Sequence, residues 1–264
     1  MHTNFSFPYM KEVGGKEYFE KFLTEFPELC TDKKIEDQDV DSMKLMMIAF
    51  AIEDKLILPN IIEDRAKEVD AISNVFSQIS EENKIKMPIE ARAEGGDIMP
   101  WNDYIFVGYS EKEDFDKYTV ARTNKTGLDF LTETFPNKIV KGFELNKSDT
   151  DPRENALHLD CCFQPIGKNM AIIYKGGFKY SADVEFLVTY FGEENIIEVD
   201  KEEMYNMNSN IFSISEEVII SEKGFTRLNE SLRKRGFTVE EVPYAEIAKM
   251  EGLLRCSTMP LIRQ

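Results

Sequence analysis

The chain has 264 residues, 49 acidic and 32 basic side chains, a net charge of −17, two histidines and four cysteines. That charge argues against phosphate backbones and anionic membrane surfaces as partners, since both need clustered Lys and Arg. A hydrophobic share of 42% with 19 phenylalanines excludes disorder, and two histidines leave no multi-histidine metal site. A chain of this length buries a sizeable core and fits one large domain or two small ones. The longest apolar run, Leu45–Ile52, falls far short of the roughly 20 residues that cross a bilayer, and the N-terminus lacks a secretory signal. Cys30, Cys161, Cys162 and Cys256 make no disulfide framework, so the expected compartment is a reducing cytoplasm.

The expected elements recur in chain order. Residues 1–45 read as a divergent segment, with an amphipathic helix over Glu17–Phe26 and a charged linker over Lys33–Asp41. Met47–Asn60 reads as a hairpin turning at Glu53-Asp54. A helix over Glu63–Ile79 and a short strand over Ile85–Pro88 follow. The second unit has strands at Asp97–Pro100 and Tyr104–Tyr109, a helix over Gly127–Phe135 and a strand over Ile139–Leu145. The third has Ala156–Gln164, Met170–Tyr174, a helix over Ala182–Phe191 and Ile196–Val199. The fourth has Asn210–Ser215, Val218–Ser221, a helix over Phe225–Arg235 and Thr238–Pro243.

Four hairpin–helix–strand units thus recur about every 50–60 residues, a spacing that suggests stacked modules. Gly252–Ile262 would begin a fifth unit, completed by the N-terminal segment. The result would be a closed ring of ββαβ modules; an ordinary α+β domain fits the same pattern.

In such a ring the first strand of each hairpin would meet its counterparts near the axis. Those positions hold Glu94-Gly95-Gly96-Asp97, His158-Leu159-Asp160, Asn206–Asn210 and Arg255-Cys256-Ser257-Thr258. Two residues apart in a strand, His158 and Asp160 would share a side, and the carboxylate would raise the imidazole pKa. Alone, a His-x-Asp pair reads first as a satisfied structural histidine, and Cys256 as an inert small hydrophobe. The two glycines make a bulge or admit a ligand to the backbone. Asn206–Asn210 reads as a capped turn or a strand edge.

Taken together and in order, Ala93–Asp97, Val107–Ser110 with Ala121–Asn124, Leu157–Asp160 and Leu254–Pro260 resemble the penteins. This guanidine-modifying superfamily includes arginine deiminases, dimethylarginine dimethylaminohydrolases and amidinotransferases. The resemblance implies one catalytic domain over residues 1–264 with no cofactor, and an α/β fold, a five-bladed ββαβ propeller around a central site. It implies Cys256 as nucleophile, His158 as general acid and base, and Glu94 as the carboxylate that holds the guanidinium and steers protons. It further implies that Asp97 and Asp160 contact guanidinium nitrogens and that Arg122 meets the substrate carboxylate.

The expected reaction is hydrolysis of a small cationic guanidino compound through a thiouronium on Cys256, giving a ureido product such as citrulline. The alternatives are transfer of the amidino group to an amine, and a catalytically weak guanidine-binding homologue. The sequence departs from the family pattern at Lys44–Ala51, where no carboxylate stands in the first strand of the first hairpin. The first module is therefore expected to be shortened or rebuilt, and its remodelled edge is a candidate homodimer contact.

Overall fold

A computed structural model of the chain describes residues 50–52, 55–60, 79–248 and 252–256. The features expected over Glu17–Phe26 and Lys33–Asp41, nearly all of the Glu63–Ile79 helix, and the end of the fifth unit lie outside these residues.

Four three-stranded sheets repeat one plan: an antiparallel hairpin, then a third strand parallel to the hairpin's second strand. The first joins β1 (Phe50–Ile52), β2 (Lys55–Leu58) and β3 (Lys84–Lys86). The second joins β4 (Ile98–Trp101), β5 (Tyr104–Tyr109) and β6 (Ile139–Glu144). The third joins β7 (Phe163–Ile166), β8 (Met170–Ile173) and β9 (Ile196–Glu198). The fourth joins β10 (Phe212–Ser213), β11 (Val218–Glu222) and β12 (Thr238–Val242). Crossover helices α2 (Lys125–Thr134), α3 (Ser181–Phe191) and α5 (Thr226–Lys234) precede the parallel strands of the last three sheets. A parallel strand needs a crossover, which is why the helix falls there in each unit. Three further helices, α1 (Lys112–Lys117), α4 (Lys201–Tyr205) and α6 (Ala245–Ala248), fall in segments read as connections.

Side-chain alternation along the strands builds the core between units rather than within them. On β5, Ile105 and Val107 join one apolar cluster with Ile52 and Ile57 of the first sheet and Leu128 and Leu131 of α2. Phe106, between them, points the other way, into a cluster with Phe143, Phe163, Ile173 and Leu187 and Phe191 of α3. On β8, Ile172 turns to a third cluster with Ile219, Leu228 and Leu232. The crossover helices α2, α3 and α5 are therefore each packed between their own sheet and the preceding one. Each fully buried Phe or Leu in these layers contributes about 1.5–3 kcal/mol, so neighbouring modules stabilise one another. Among the described residues no helix is long and apolar enough to cross a membrane.

One expectation needs correction. The polar segments at the starts of the hairpins do not lie in strands. Gly95–Asp97 and Leu159–Cys161 are single 3₁₀ turns, residues 206–209 form a turn after α4, and residues 254–256 form another. The backbone repeats itself: Asp97 N–H donates to Glu94 O (3.0 Å), Cys161 N–H to His158 O (3.1 Å) and Asn210 N–H to Met207 O (2.9 Å). Three pseudo-equivalent turns thus replace three expected strand starts. The non-local contacts that hold them are set out below.

Candidate active site

Glu94, His158 and Asp160 are each 1% exposed and Cys256 is 7% exposed, an unusual concentration of buried charge. Such groups persist only where hydrogen bonds replace water. His158 supplies the centre of the network. Its Nε2 lies 3.0 Å from Glu94 Oε2. Burial alone would push the imidazole pKa down. The hydrogen bond to Glu94 and the charges of Asp97, Glu94 and Asp160 outweigh it and hold His158 above its ordinary value. A Cβ on Gly96 would stand 2.9 Å from the His158 ring, so glycine at this position lets the two turns close on each other.

Asp97 ties those turns together. Its Oδ1 accepts the Leu159 N–H at 2.9 Å and its Oδ2 accepts the Thr123 hydroxyl at 2.6 Å. Burial raises its pKa, opposed by His158, by Lys147 and by these two hydrogen bonds. Thr123 Oγ1 in turn accepts the Glu94 N–H at 3.2 Å. Next to it, Asn124 caps α2 by accepting the Gly127 N–H (2.8 Å), and it accepts the Arg92 N–H (3.0 Å). The Thr-Asn pair therefore positions the segment carrying Glu94. Asp97 reaches the site as a scaffold carboxylate with both oxygens engaged by protein groups.

The segment before His158 is held by Lys147, which sequence reading missed. Its buried ammonium donates to Ala156 O (2.7 Å) and Leu157 O (2.8 Å). Burial lowers the Lys147 pKa; Asp97, Cys161 and Cys162 oppose the fall and Arg122 adds to it. Arg122 is half-buried, its charge is felt at Lys147, and its Nε has no hydrogen-bond partner among the described residues.

Asp160 links the imidazole side of the site to the thiol side. Its Oδ2 lies 3.7 Å from Cys256 Sγ and its Oδ1 3.8 Å from Cys161 Sγ. The turn bearing Asp160 is fastened by Ser209, whose hydroxyl donates to Asp160 O (3.0 Å) and Cys161 O (2.7 Å). Beside it, Asn210 donates from Nδ2 to Cys256 Sγ at 3.2 Å and accepts the Cys256 N–H at 3.2 Å. Burial and the Asp160 charge push the Cys256 thiol up to about 12, against hydrogen bonds from the Leu253 backbone and Asn210 and the charge of Arg255. Burial likewise raises the thiols of Cys161 and Cys162. Arg255 donates from Nη2 to Ile98 O at 2.9 Å.

Of the six residues singled out in the sequence, Glu94, His158 and Asp97 form one hydrogen-bonded group and Asp160 and Cys256 another, joined through the 3₁₀ turn at Leu159–Cys161. Arg122 stands beside the first. Ser209 and Asn210 were legible only as a turn, although their place in the fourth repeat matches that of Glu94–Asp97 in the second.

A sequence model of the family described as N,N dimethylarginine dimethylhydrolase, eukaryotic, matches residues 91–263, so the match takes in all six residues. The uncharacterized protein YkgA of Bacillus subtilis is 30% identical over 216 residues, 82% of this chain and 68% of that protein. The N(G),N(G)-dimethylarginine dimethylaminohydrolase of Pseudomonas aeruginosa is 24% identical over 197 residues, 75% of this chain and 67% of that protein. Among solved structures, the product-bound N-terminal domain of ArgZ, an arginine dihydrolase of cyanobacteria, superposes with a TM-score of 0.71 at 19% identity, covering 94% of this chain and 87% of that one. The Pseudomonas aeruginosa dimethylarginine dimethylaminohydrolase complexed with citrulline superposes with a TM-score of 0.65 at 20% identity, covering 83% and 75%.

Proposed function

Because the chain belongs to the N,N-dimethylarginine dimethylhydrolase family, within the guanidino-modifying pentein superfamily, we propose that it hydrolyses a guanidino amino acid, arginine or an N-methylated arginine, through a covalent intermediate on Cys256. The observation that carries this reading is the buried Glu94–His158 pair at 3.0 Å, joined through one short turn to Asp160 and the Cys256 thiol. A histidine whose proton affinity a carboxylate raises, linked through one turn to a cysteine and a further carboxylate, fits what guanidine hydrolysis requires.

The guanidinium carbon is a weak electrophile because its charge is shared by three nitrogens. Asp160 offers a carboxylate beside the sulfur, where charge-assisted hydrogen bonds would hold the cation. Arg122, half-buried next to Thr123 in the chain, is the cation proposed to meet the substrate's carboxylate. The cation offsets the Asp160 charge that raises the thiol, so binding favours release of the Cys256 proton to solvent. The thiolate adds to the guanidinium carbon. The C–N bond to the departing amine then breaks, its electron pair going to nitrogen and the proton coming from His158. A thiouronium remains on Cys256. His158, now neutral, takes a proton from water, the hydroxide adds to the same carbon, and the C–S bond breaks. The thiolate takes the proton of the adduct's new hydroxyl and the ureido product leaves, while the amine released earlier takes up the proton that Cys256 gave to solvent.

The test is an assay of citrulline and released amine over arginine, monomethylarginine and asymmetric dimethylarginine. Turnover of at least one, abolished by Cys256→Ser, is the expected result. Turnover that survives Cys256→Ser, or that needs an amine acceptor in place of water, would overturn the reading.

A further inference from the structure

The contact between Asn210 and Cys256 exceeds what a structural amide requires. Asn210 is fully buried in the turn that follows α4, and its carbonyl also accepts the Arg255 N–H at 3.3 Å. Three hydrogen bonds thus run from this one residue to two consecutive residues of the Cys256 turn. The chemistry of the partners fixes the orientation of the amide. A backbone N–H can only donate, so the oxygen must face Cys256 N and the NH₂ must face the sulfur. A flipped amide would oppose two donors. The contact is therefore a directed donor–sulfur hydrogen bond, and a thiolate accepts such a bond far better than a neutral thiol does.

We infer that Asn210 is a further catalytic residue, whose side-chain NH₂ stabilises the Cys256 sulfur as thiolate while its oxygen fixes the backbone that aims it. The inference rests on Cys256 being the nucleophile. Asn210 and Asp160 both lie against the sulfur, with opposite effects on its ionisation. The resting thiol, flanked by the carboxylate, stays protonated. A bound cation masks the carboxylate, and the amide, together with the Leu253 backbone hydrogen bond, then carries the thiolate through attack and through re-formation after hydrolysis. This is stabilisation of a charge that develops during the reaction rather than of the ground state.

Iodoacetamide alkylation of Cys256, located by peptide mass spectrometry, reads the sulfur without any substrate. Asn210→Asp keeps the oxygen for the Cys256 N–H but removes the donor. Asn210→Leu removes both. One unit of upward pKa shift cuts the thiolate fraction tenfold and raises its nucleophilicity about threefold, a net loss of about threefold at fixed pH. Loss of a hydrogen bond to a charged group is worth about one such unit or more. At pH 8, Asn210→Leu should therefore alkylate Cys256 at least about threefold more slowly, and Asn210→Asp, which adds a negative charge, more slowly still. Alkylation of Asn210→Asp at the wild-type rate, with its melting temperature unchanged, would overturn the inference and leave Asn210 a backbone anchor. If neither variant folds, protein labelled with ¹⁵N-asparagine reads the same contact. The Asn210 side-chain amide resonances should move on alkylation of Cys256, and unmoved resonances would equally overturn it. Failure of the guanidine assay would leave the alkylation result intact, so the two readings fail separately.

Discussion

At the scale of single residues, the decisive balance is at His158. Desolvation disfavours the imidazolium; the 3.0 Å bond to Glu94 and three nearby carboxylates favour it, and they win. A group whose folded pKa is raised contributes stability below its unfolded pKa, and that contribution fades as pH rises through the folded value. The same protonation serves the proposed chemistry, because the departing amine needs a proton. Glu94→Gln keeps the shape but loses the charge. Its kcat should fall by about a hundredfold or more, within the range for a displaced acid–base group. The alkaline limb of its pH–rate profile should move to lower pH, since a less basic His158 loses its proton earlier. An unmoved limb would detach Glu94 from the proton transfer.

At the scale of elements, the site is made by turns rather than strands, and this is where sequence reading and structure part. Leu157-His158-Leu159-Asp160 alternates apolar and polar side chains, which reads as a strand with period two. The segment instead closes into a 3₁₀ turn because Asp97, 62 residues earlier, accepts the Leu159 N–H at 2.9 Å. No local pattern carries such a contact. By contrast, α4 was legible and was missed: Asp200 and Glu203 form a capping box three residues apart. α1 is short and wholly polar on its exposed face, so no apolar period marks it. The crossover helices α2, α3 and α5 were legible, within two residues at each end, because one face of each is apolar. Lys147 escaped notice because a lysine between two motifs reads as solvated surface. Its ammonium holds the two carbonyls before His158, so Lys147→Met should leave both without their donor. Removing such a donor costs about 1–3 kcal/mol, measurable by urea denaturation. The variant should also lower kcat more than it raises KM, because it loosens the turn carrying His158. Full stability together with full activity would show that the clamp is dispensable.

At the scale of the whole molecule, the repeat explains how one chain brings distant residues together. Four sheets of one topology are glued by clusters that each join two neighbours, so no module buries its faces alone. Equivalent turns of successive modules then face a common interior, and Glu94, His158, Asn210 and Cys256 arrive there from four of them. Among the described residues, Glu94, Asp97 and Asp160 are the carboxylates of this network. Phe106 occupies the layer between the second and third modules, with Phe143 at 5.7 Å and Phe163 at 5.6 Å between ring centroids. Phe106→Ala should therefore cost about 3–5 kcal/mol in chemical denaturation, far more than truncation within a module that packs alone. A loss below about 1 kcal/mol would contradict the shared core.

The most direct test of covalent chemistry at Cys256 uses His158→Gly and S-methyl-L-thiocitrulline. Methanethiolate departs without a proton, so the thiouronium should form in the absence of the general acid, whereas its hydrolysis should stall without the base. Intact-mass and peptide spectrometry should find one adduct, heavier than the protein by the probe less methanethiol, on the peptide containing Cys256. Absence of the adduct, or its appearance on Cys161 or Cys162 instead, would contradict the account.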